Sequence, residues 1–435
     1  MSTGGPHTLH LSTLPPSPDK AILYAAVFLH TTLCYFNAVR QERISPQFSV
    51  KGQTLSMDQF RGLFNACRIP GDGTDSLYSS WKTEREGDCS KLLLVLCHGH
   101  IWMLNPFDSE GKILSLPSLE RQFHHIRDTS DRLGLGDAVG TLTCDNRDSW
   151  AKNRTHLMSL SDGNKRLMRA IEDAMFVMVL DDSEPKTMTE VSWECLCGDP
   201  GNRWADKSLS GITTRTGYVC VNCEHTRFDA MVLVVLTHYQ QTLLKRLSFD
   251  EMRREPVNTE MSLPQLQNFA LDETLRQEIK RVYSENKENT SNVVVNFEQF
   301  MEFGKTWMKK NKVHPDSFVQ VAFQLAYYRT HHRMASTYET ATTRQFYHGR
   351  TETMRSCTSD VKLFVQAMQD YSSTISSKAS TLRTACATHD RVMKECQDGM
   401  GVDRHMLGLY IVSAEEGIEL PEIFSDPSYF KTGGG

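Results

Sequence analysis

The chain has 435 residues, of which 39% are hydrophobic and 23% charged, and this composition predicts a globular protein with room for two domains. Its formal net charge of −5 excludes a general attraction to nucleic acid or to an anionic membrane, so a basic site has to be local. The 12 cysteines are spread too thinly for the disulfide framework of a small secreted domain, and we expect free thiols in a reducing compartment.

The N-terminal stretch changes character at residue 20. Residues 1–20 hold several glycines and prolines and are predicted to be a disordered leader. Residues 21–39 contain no Lys, Arg, Asp or Glu, and 19 such residues are long enough to span a membrane. Polar residues such as His30 and Asn37 interrupt this run, and its apolar residues surround the helix axis. We therefore predict a helix that is buried inside the protein rather than a membrane span.

The rest of the first half mixes helices and strands around a predicted sheet. Residues 56–67 are predicted to be helical, and two apolar runs at 91–97 and 100–105, broken at Gly99, predict a β-hairpin. Helical periodicity and short apolar runs mark the remaining elements, which are helices at 117–127, 147–160 and 164–174 and buried strands at 176–180 and 231–236.

The second half is predicted to be mainly helical from about residue 263. One β-like stretch at 335–346 interrupts six helices, which are predicted at 264–286, 296–307, 316–331, 359–371, 377–396 and 404–416. We therefore predict an α/β protein with a first domain at 21–262 and a second domain at 263–435.

His225 and Asp229 are the first candidates for chemistry. A separation of four residues places them on the same face of either a helix or a strand. An acidic partner can orient a histidine and keep it basic, which is what a general base requires. A partly buried histidine with a satisfied structural role gives the same pattern, so the pair alone does not decide between the two interpretations.

A local basic cluster follows in the second half. Lys305, Lys309, Lys310 and Lys312 place four positive charges within eight residues, just before Asp316. Ammonium groups pair well with phosphate oxygens, so the cluster suits a phosphorylated ligand. A solvated helix face has the same composition, and both interpretations stay open.

Hydroxyl side chains alternate along the β-like stretch. Tyr338, Thr340 and Thr342 are two residues apart, so Tyr338 and Thr340 are predicted to point to one side of the strand. Hydroxyls can hold a carboxylate or another polar substrate without adding charge. An ordinary Thr-rich strand is the alternative.

Two close cysteine pairs indicate a different class of function. Cys195, Cys197, Cys220 and Cys223, with His225, have the ligand chemistry of a zinc-stabilised binding module. Cys-x-Cys is a poorer chelating geometry than Cys-x-x-Cys, so buried structural cysteines are the competing interpretation.

Together these segments resemble the choline/carnitine acyltransferase family, over nearly the whole chain from about residue 21 to residue 435. The collinear segments that carry the resemblance are residues 142–154, NRWADKS at 202–208, EHTRFDA at 224–230, residues 303–316, QLAYYR at 324–329, TYET at 337–340, GRTETMRS at 349–356 and DRHMLGL at 403–409. Because so many separate segments match in the same order, the resemblance is specific.

The resemblance implies two domains, each similar to chloramphenicol acetyltransferase with a central mixed sheet and flanking helices, of which the second is incomplete. It implies that His225 is the general base with Asp229 beside it, and that the segment from Lys305 to Asp316 binds coenzyme A. It also implies four contacts to carnitine, from Tyr338, Thr340, Thr351 and Arg404.

The activity that the resemblance implies is reversible transfer of a medium-chain, octanoyl group between coenzyme A and L-carnitine in fatty acid metabolism. His225 would take the proton of the carnitine hydroxyl, and no acyl-enzyme would form. Carnitine and acyl-CoA are then substrates, and no cofactor, metal, nucleic acid or membrane span is expected. The family likeness also implies a monomer located in the peroxisome.

Two parts of the family pattern do not occur in this sequence. These are the N-terminal motif with paired tryptophans and the Ser-Thr-Ser motif expected beyond the glycine run at 433–435, which in the family helps to bind carnitine and the oxyanion. Two alternatives therefore stand beside the octanoyl activity: a transferase that prefers acetyl groups, and a chain that binds coenzyme A but transfers poorly.

Overall fold

The computed structural model describes residues 7–8, 16–49, 51–258 and 261–431. The chain forms two compact units. The first comprises Met1–Ser45 and Asp58–Phe297, and the second comprises Pro46–Met57 and Glu298–Gly435.

The first unit combines eight helices with nine strands in its described residues. The helices are α1 Ala21–Arg40, α2 Leu116–Leu133, α3 Arg147–Ser159, α4 Asp162–Asp173, α5 Met188–Cys197, α6 Ala230–Arg246, α7 Phe249–Arg254 and α8 Glu273–Ser291. The strands are β1 His7–Thr8, β2 Ala66–Ile69, β3 Ser76–Ser79, β4 Leu93–Cys97, β5 His100–Leu104, β6 Val177–Leu180, β7 Leu209–Thr213, β8 Val219–Cys223 and β9 Gln265–Gln267.

Seven of these strands form one mixed sheet in the order β1-β8-β7-β6-β4-β5-β9. β6 pairs in parallel with both β4 and β7, and the other neighbours are antiparallel. β4 and β6 are buried along their whole length, as expected for apolar strands covered on both faces. The predicted α/β class with a central mixed sheet and flanking helices is confirmed by this unit.

Helix α1 lies in the core of the first unit, where 16 of its 20 residues are buried. Among the described residues it is the one helix long and apolar enough to cross a membrane, and 72% of its most apolar window is buried inside the protein. The buried hydroxyls of Thr31 and Thr32 donate to carbonyls of their own helix, and both accept from the Gln240 amide of α6. This helix is therefore buried, as predicted, and its two buried threonine hydroxyls are satisfied inside the protein.

The second unit contains α9 Lys305–Lys310, α10 Pro315–His331, β10 Tyr338–Thr342, β11 Thr351–Arg355, α11 Ser359–Gln369, α12 Ile375–Gln397, α13 Asp403–Glu415 and α14 Pro427–Phe430. Helices α10, α11 and α12 pack around a small apolar core. β10 and β11 form an antiparallel pair that lies against α12. A mixed sheet is predicted for the second domain. In the described residues of this unit, the sheet consists of this antiparallel pair.

Four local predictions of helices or strands were wrong. The helix predicted at 264–286 begins only at Glu273, as α8, and Gln265–Gln267 form β9 instead. The apolar run 231–236 lies inside α6, because a short apolar run cannot distinguish a buried strand from one side of a helix. Residues 56–67 form a 3₁₀ turn at Asp58–Gly62 followed by the start of β2. The helix predicted at 296–307 begins only at Lys305, as α9.

The division between the units falls later in the chain than the predicted boundary at 262/263. β9 pairs with β5 in the first sheet, and α8 adds Leu275, Ile279 and Val282 to the first core, which explains why both belong to the first unit. The segment Pro46–Met57 belongs to the second unit, where the Arg344 guanidinium donates to the Ser56 carbonyl and to Gln47. The prediction of a disordered leader at 1–20 was wrong where the structure describes it, because His7–Thr8 pair with β8 and Pro18–Lys20 form a 3₁₀ turn. Residues 1–6 and 9–15 lie outside the described residues.

Candidate active site

His225 lies in the six-residue connection between β8 and α6, in the first unit. β8 ends at the buried Cys223, and α6 begins at Ala230, so the chain leaves the sheet and turns into the helix within this connection. His225 itself is half-buried. The loop therefore places an imidazole at the end of a sheet strand, where it is partly shielded yet still reachable.

The two neighbours of His225 are bonded to each other. Glu224 is 8% exposed, and its carboxylate accepts from both the backbone N–H and the hydroxyl of Thr226. The Arg68 guanidinium lies 3.6 Å from the other carboxylate oxygen of Glu224. Because both bonds span His225, they restrict the backbone on either side of the imidazole.

Asp229 closes the same loop as the N-cap residue of α6. Its carboxylate accepts from the Gln59 side-chain amide at 2.8 Å, and its backbone N–H donates to the Gln59 carbonyl oxygen at 2.8 Å. This reciprocal pair ties the start of α6 to the 3₁₀ turn at Asp58–Gly62. Spacing gave no hint of Gln59, which lies 170 residues away in the chain. The role of Asp229 as the partner of His225 stays a prediction.

The same turn approaches the loop at a second point. A Cβ at Gly62 would overlap the side chain of Arg227, two residues after His225. The turn can lie this close to the loop because Gly62 has no side chain. The His225 loop is thus held by Gln59 and Gly62 from one segment and by Arg68 from the next.

A charged network continues from Arg68 into the protein. The Asp75 carboxylate accepts from Arg68 at 2.5 Å and from Arg147 at 2.7 Å, and Arg147 also donates to Asp206 at 2.6 Å. Burial raises the pKa of Asp206 to about 6, against the opposing effects of Arg147 and the Trp150 N–H donor. Three residues that carried the family resemblance, Arg147, Trp150 and Asp206, are therefore bonded to one another or to Asp75 and support the fold.

Lys207, in the same motif, is also structural. It is 1% exposed, and its ammonium donates to the backbone carbonyls of Glu172 and Ala174. Burial lowers its pKa to about 8. Its ammonium thus secures the C-terminal end of α4.

The cysteine pairs do not form the zinc site considered above. Cys195, Cys197, Cys220 and Cys223 are all buried, and the Cys195 thiol contacts the Val221 carbonyl. Within the described residues, these four thiols do not converge closely enough to hold one metal ion. The structure therefore favours the interpretation that they are core residues.

The predicted coenzyme A segment lies in the second unit, on α9 and the turn into α10. Lys305 and Lys309 are one helical turn apart, and all four lysines of the cluster are exposed. None of the four makes an ion pair with the described part of the chain. Met308 and Val313 are buried beneath them and fix the segment to its unit. The segment thus presents unpaired ammonium groups from an anchored backbone.

The predicted carnitine contacts on the hairpin share one face. In the β10–β11 pair, Tyr338 lies opposite Arg355, Thr340 opposite Thr353, and Thr342 opposite Thr351. Directly opposed residues of an antiparallel pair project to the same side, so Tyr338, Thr340 and Thr351 line one face. Tyr338 and Thr340 are exposed there, which agrees with the predicted alternation.

Arg404 is connected to this hairpin through its backbone. The buried Glu352 carboxylate of β11 accepts from the Arg404 backbone N–H at 3.1 Å, at the start of α13. Beside this contact, Arg355 forms an ion pair with Asp403. A Cβ at Gly401 would overlap Glu352, so the approach of the helix requires glycine there. Glu352, which sequence patterns did not single out, thus joins the strand of Thr351 to the helix of Arg404.

Comparison with known proteins covers almost the whole chain. A sequence model described as choline/carnitine O-acyltransferase matches residues 6–433. The peroxisomal carnitine O-octanoyltransferase of Mus musculus is 36% identical, over 99% of this chain and 70% of its own length. The enzyme of the same name from Bos taurus is 36% identical, over 100% of this chain and 71% of its own length.

A second group of relatives is less similar. The mitochondrial carnitine O-palmitoyltransferase 2 of Homo sapiens is 30% identical, over 98% of this chain and 62% of its own length. The sequence is therefore nearer to these octanoyltransferases than to this palmitoyltransferase.

Proposed function

This chain is an acyltransferase that belongs to the choline/carnitine O-acyltransferase family, and from this premise we propose that it transfers medium-chain acyl groups between coenzyme A and L-carnitine. The medium-chain substrate is supported by the octanoyltransferase relatives at 36% identity.

The general base of this reaction is His225. The observation that carries the assignment is that His225 is half-buried in a loop whose residues on both sides are anchored by the Glu224–Thr226 bonds and the Gln59–Asp229 pair. A base must be held within hydrogen-bonding reach of the proton it removes, and anchored neighbours supply that restraint. The imidazole itself remains accessible.

The chemical step needs a base because an alcohol is a poor nucleophile at neutral pH. The imidazole of His225 removes the proton of the carnitine hydroxyl as the hydroxyl oxygen attacks the thioester carbonyl carbon. The carbon–sulfur bond of the tetrahedral intermediate then breaks. The departing coenzyme A thiolate takes the proton back from the imidazolium, and the enzyme returns to its starting state.

The thiols of the first unit support direct transfer without an acyl-enzyme. Burial raises the pKa of Cys97 and of Cys144 to about 11, so both are protonated and poorly nucleophilic near pH 7. The sequence also has no Gly-x-Ser-x-Gly motif to supply a nucleophilic serine. A single displacement on the thioester is the simplest route that remains.

The substrate contacts follow the same assignment. Lys305 and Lys309, with Lys310, Lys312 and Asp316 nearby, are proposed to bind coenzyme A, whose phosphates suit exposed ammonium groups. The hydroxyl face with Tyr338, Thr340 and Thr351 is proposed to bind carnitine. Arg404 is proposed to act on the carnitine carboxylate through charge.

The cellular location is proposed from the relatives alone. The octanoyltransferases are named as peroxisomal, and a peroxisomal site for this protein is consistent with its free thiols. Imaging of a fluorescently tagged protein beside a peroxisomal marker tests this point.

The activity is tested by carnitine-dependent release of free thiol from acyl-CoA, with acetyl-, octanoyl- and palmitoyl-CoA compared at equal concentration. We expect the highest kcat/KM with octanoyl-CoA and no release without carnitine. A preference for acetyl-CoA would support the acetyltransferase alternative. Coenzyme A binding by calorimetry without any transfer would support the poorly active alternative and contradict the proposal.

A further inference from the structure

A buried histidine on α12 of the second unit contacts one carboxylate and lies close to a second. His389 is 2% exposed, and its Nε2 lies 2.9 Å and 3.0 Å from the two oxygens of Glu339. Asp316 completes the group, because one ligand atom of each of the three residues lies within 4.8 Å of the others. Two carboxylates this close together repel each other unless a positive charge lies between them.

The three residues come from the elements that carry the proposed substrate contacts. Glu339 lies between Tyr338 and Thr340 on β10, so its side chain points to the opposite face of the strand. Asp316 lies in the first turn of α10, at the end of the proposed coenzyme A segment. The group therefore joins the back of the proposed carnitine face to that segment within one unit.

The environment of His389 favours the imidazolium form. Burial by itself would lower the pKa of His389, but Glu339, Asp316 and Asp390 outweigh burial and raise that pKa above its ordinary value. Asp390 lies 3.9 Å from Nδ1. With protons on both nitrogens, the ring donates to Glu339 and stays near Asp390.

Other charged groups near α12 already have partners. On α11, the Asp360 carboxylate accepts from the Thr388 hydroxyl at 2.6 Å. On β11, Glu352 accepts from the Arg404 backbone N–H, and Arg355 pairs with Asp403. The exposed His314 lies 4.0 Å from Asp390. The compact group of Asp316, Glu339 and His389 thus depends on the charge of His389 itself.

We propose that His389 is a positioning residue whose imidazolium holds Glu339 against Asp316 and so couples the proposed carnitine face to the proposed coenzyme A segment. This inference rests on the proposed function. His389 touches neither substrate; it acts through the backbone of β10 and the first turn of α10. Loss of its charge releases both elements together.

The test compares His389→Gln, Glu339→Gln and the double variant by octanoyl-CoA and carnitine kinetics between pH 6 and 9. Glutamine keeps an N–H donor but removes the charge. We expect His389→Gln to raise the KM of both substrates by about three- to thirty-fold, with a smaller change in kcat. The double variant should be little worse than either single variant, because the two residues act as one unit. His331→Gln, at the exposed end of α10, serves as the histidine control.

The pH dependence separates positioning from a purely structural role. A raised pKa means that the imidazolium stabilises the fold fully below about pH 6.5, and that this contribution is lost as pH rises through the raised value. The KM values of the unmodified protein should therefore rise with pH, and those of His389→Gln should not. A lower melting temperature with unchanged KM values would overturn the proposal, and so would fully multiplicative effects in the double variant.

Three further results distinguish this proposal from its alternatives. Zinc in the purified protein, whose removal reproduced the effect of His389→Gln, would overturn the proposal, because a metal on Nε2 would replace the proton. An unmodified protein without carnitine-dependent transfer would contradict the proposed function instead. An active protein in which His389→Gln left both KM values unchanged across the pH range would contradict this inference alone.

Discussion

The loop of His225 and the hairpin of Tyr338 and Thr340 hold their side chains in different ways. In the loop, one half-buried side chain is fixed because its neighbours bond to each other, to Gln59 and to Arg68. In the hairpin, several side chains stand on an exposed face, and buried charged residues hold the strands from behind. The loop suits a single atom that must be aimed, and the hairpin suits a surface that must match a ligand.

This difference predicts different kinetic signatures. Loosening the loop should mainly lower kcat, because a misplaced base fails in the transition state. Loosening the hairpin should mainly raise KM, because ground-state contacts are lost.

Among the substitutions that loosen the loop or the hairpin without removing His225, the largest effect is expected for Glu224→Gln. The substitution weakens the bonds to Thr226 and removes the charge that faces Arg68, so the imidazole loses its restraint. We expect kcat for octanoyl transfer to fall about tenfold to a hundredfold with little change in KM. Glu184→Gln, at an exposed glutamate of the same unit, is the control. A rise in KM without a fall in kcat would contradict the expectation that the loop acts mainly on kcat.

A smaller and different effect is expected for Glu352→Gln. The uncharged side chain holds the start of α13 less firmly, so Arg404 moves relative to Thr351. We expect the KM of carnitine to rise about five- to twentyfold while the KM of octanoyl-CoA is unchanged. Glu395→Gln on the exposed side of α12 controls for charge. Equal changes in both KM values would show that Glu352 supports the whole unit rather than the carnitine contacts.

The smallest effects are expected for Lys305→Ala and Lys309→Ala. Each exposed ammonium contributes modestly to phosphate binding and is screened by salt. Calorimetry should show coenzyme A affinity reduced about two- to tenfold by each substitution at low ionic strength, with the difference shrinking at high salt. If both variants bound coenzyme A as tightly as the unmodified protein, the lysine cluster would be a solvated helix face rather than a phosphate-binding site.

Local signals predicted the elements with strong periodicity. The hairpin at 91–105, the helices at 147–160 and 377–396 and the alternating strand around Tyr338 all appear where the sequence indicated them. The run 231–236 failed because an apolar hexapeptide fits either a strand or a buried helix, and the following residues that extend α6 to Arg246 were not weighed with it.

Sequence patterns could not predict the residues that anchor the His225 loop and the β10–β11 hairpin. Gln59 meets Asp229 across 170 residues, and His389 meets Glu339 across 50, so spacing carries no signal for either contact. The assignment of Pro46–Met57 to the second unit could not be predicted for the same reason, because its contact with Arg344 is visible only in the fold. The motifs indicated which residues matter, but not that Arg147, Asp206 and Lys207 serve as internal supports.

The base role of His225 is tested most directly by carnitine-dependent thiol release from octanoyl-CoA with His225→Ala, with substrate binding measured on the same samples. We predict that kcat falls by about two to four orders of magnitude while coenzyme A still binds with nearly unchanged affinity. Near-normal turnover by His225→Ala would contradict the account, because another group would then have to remove the carnitine proton.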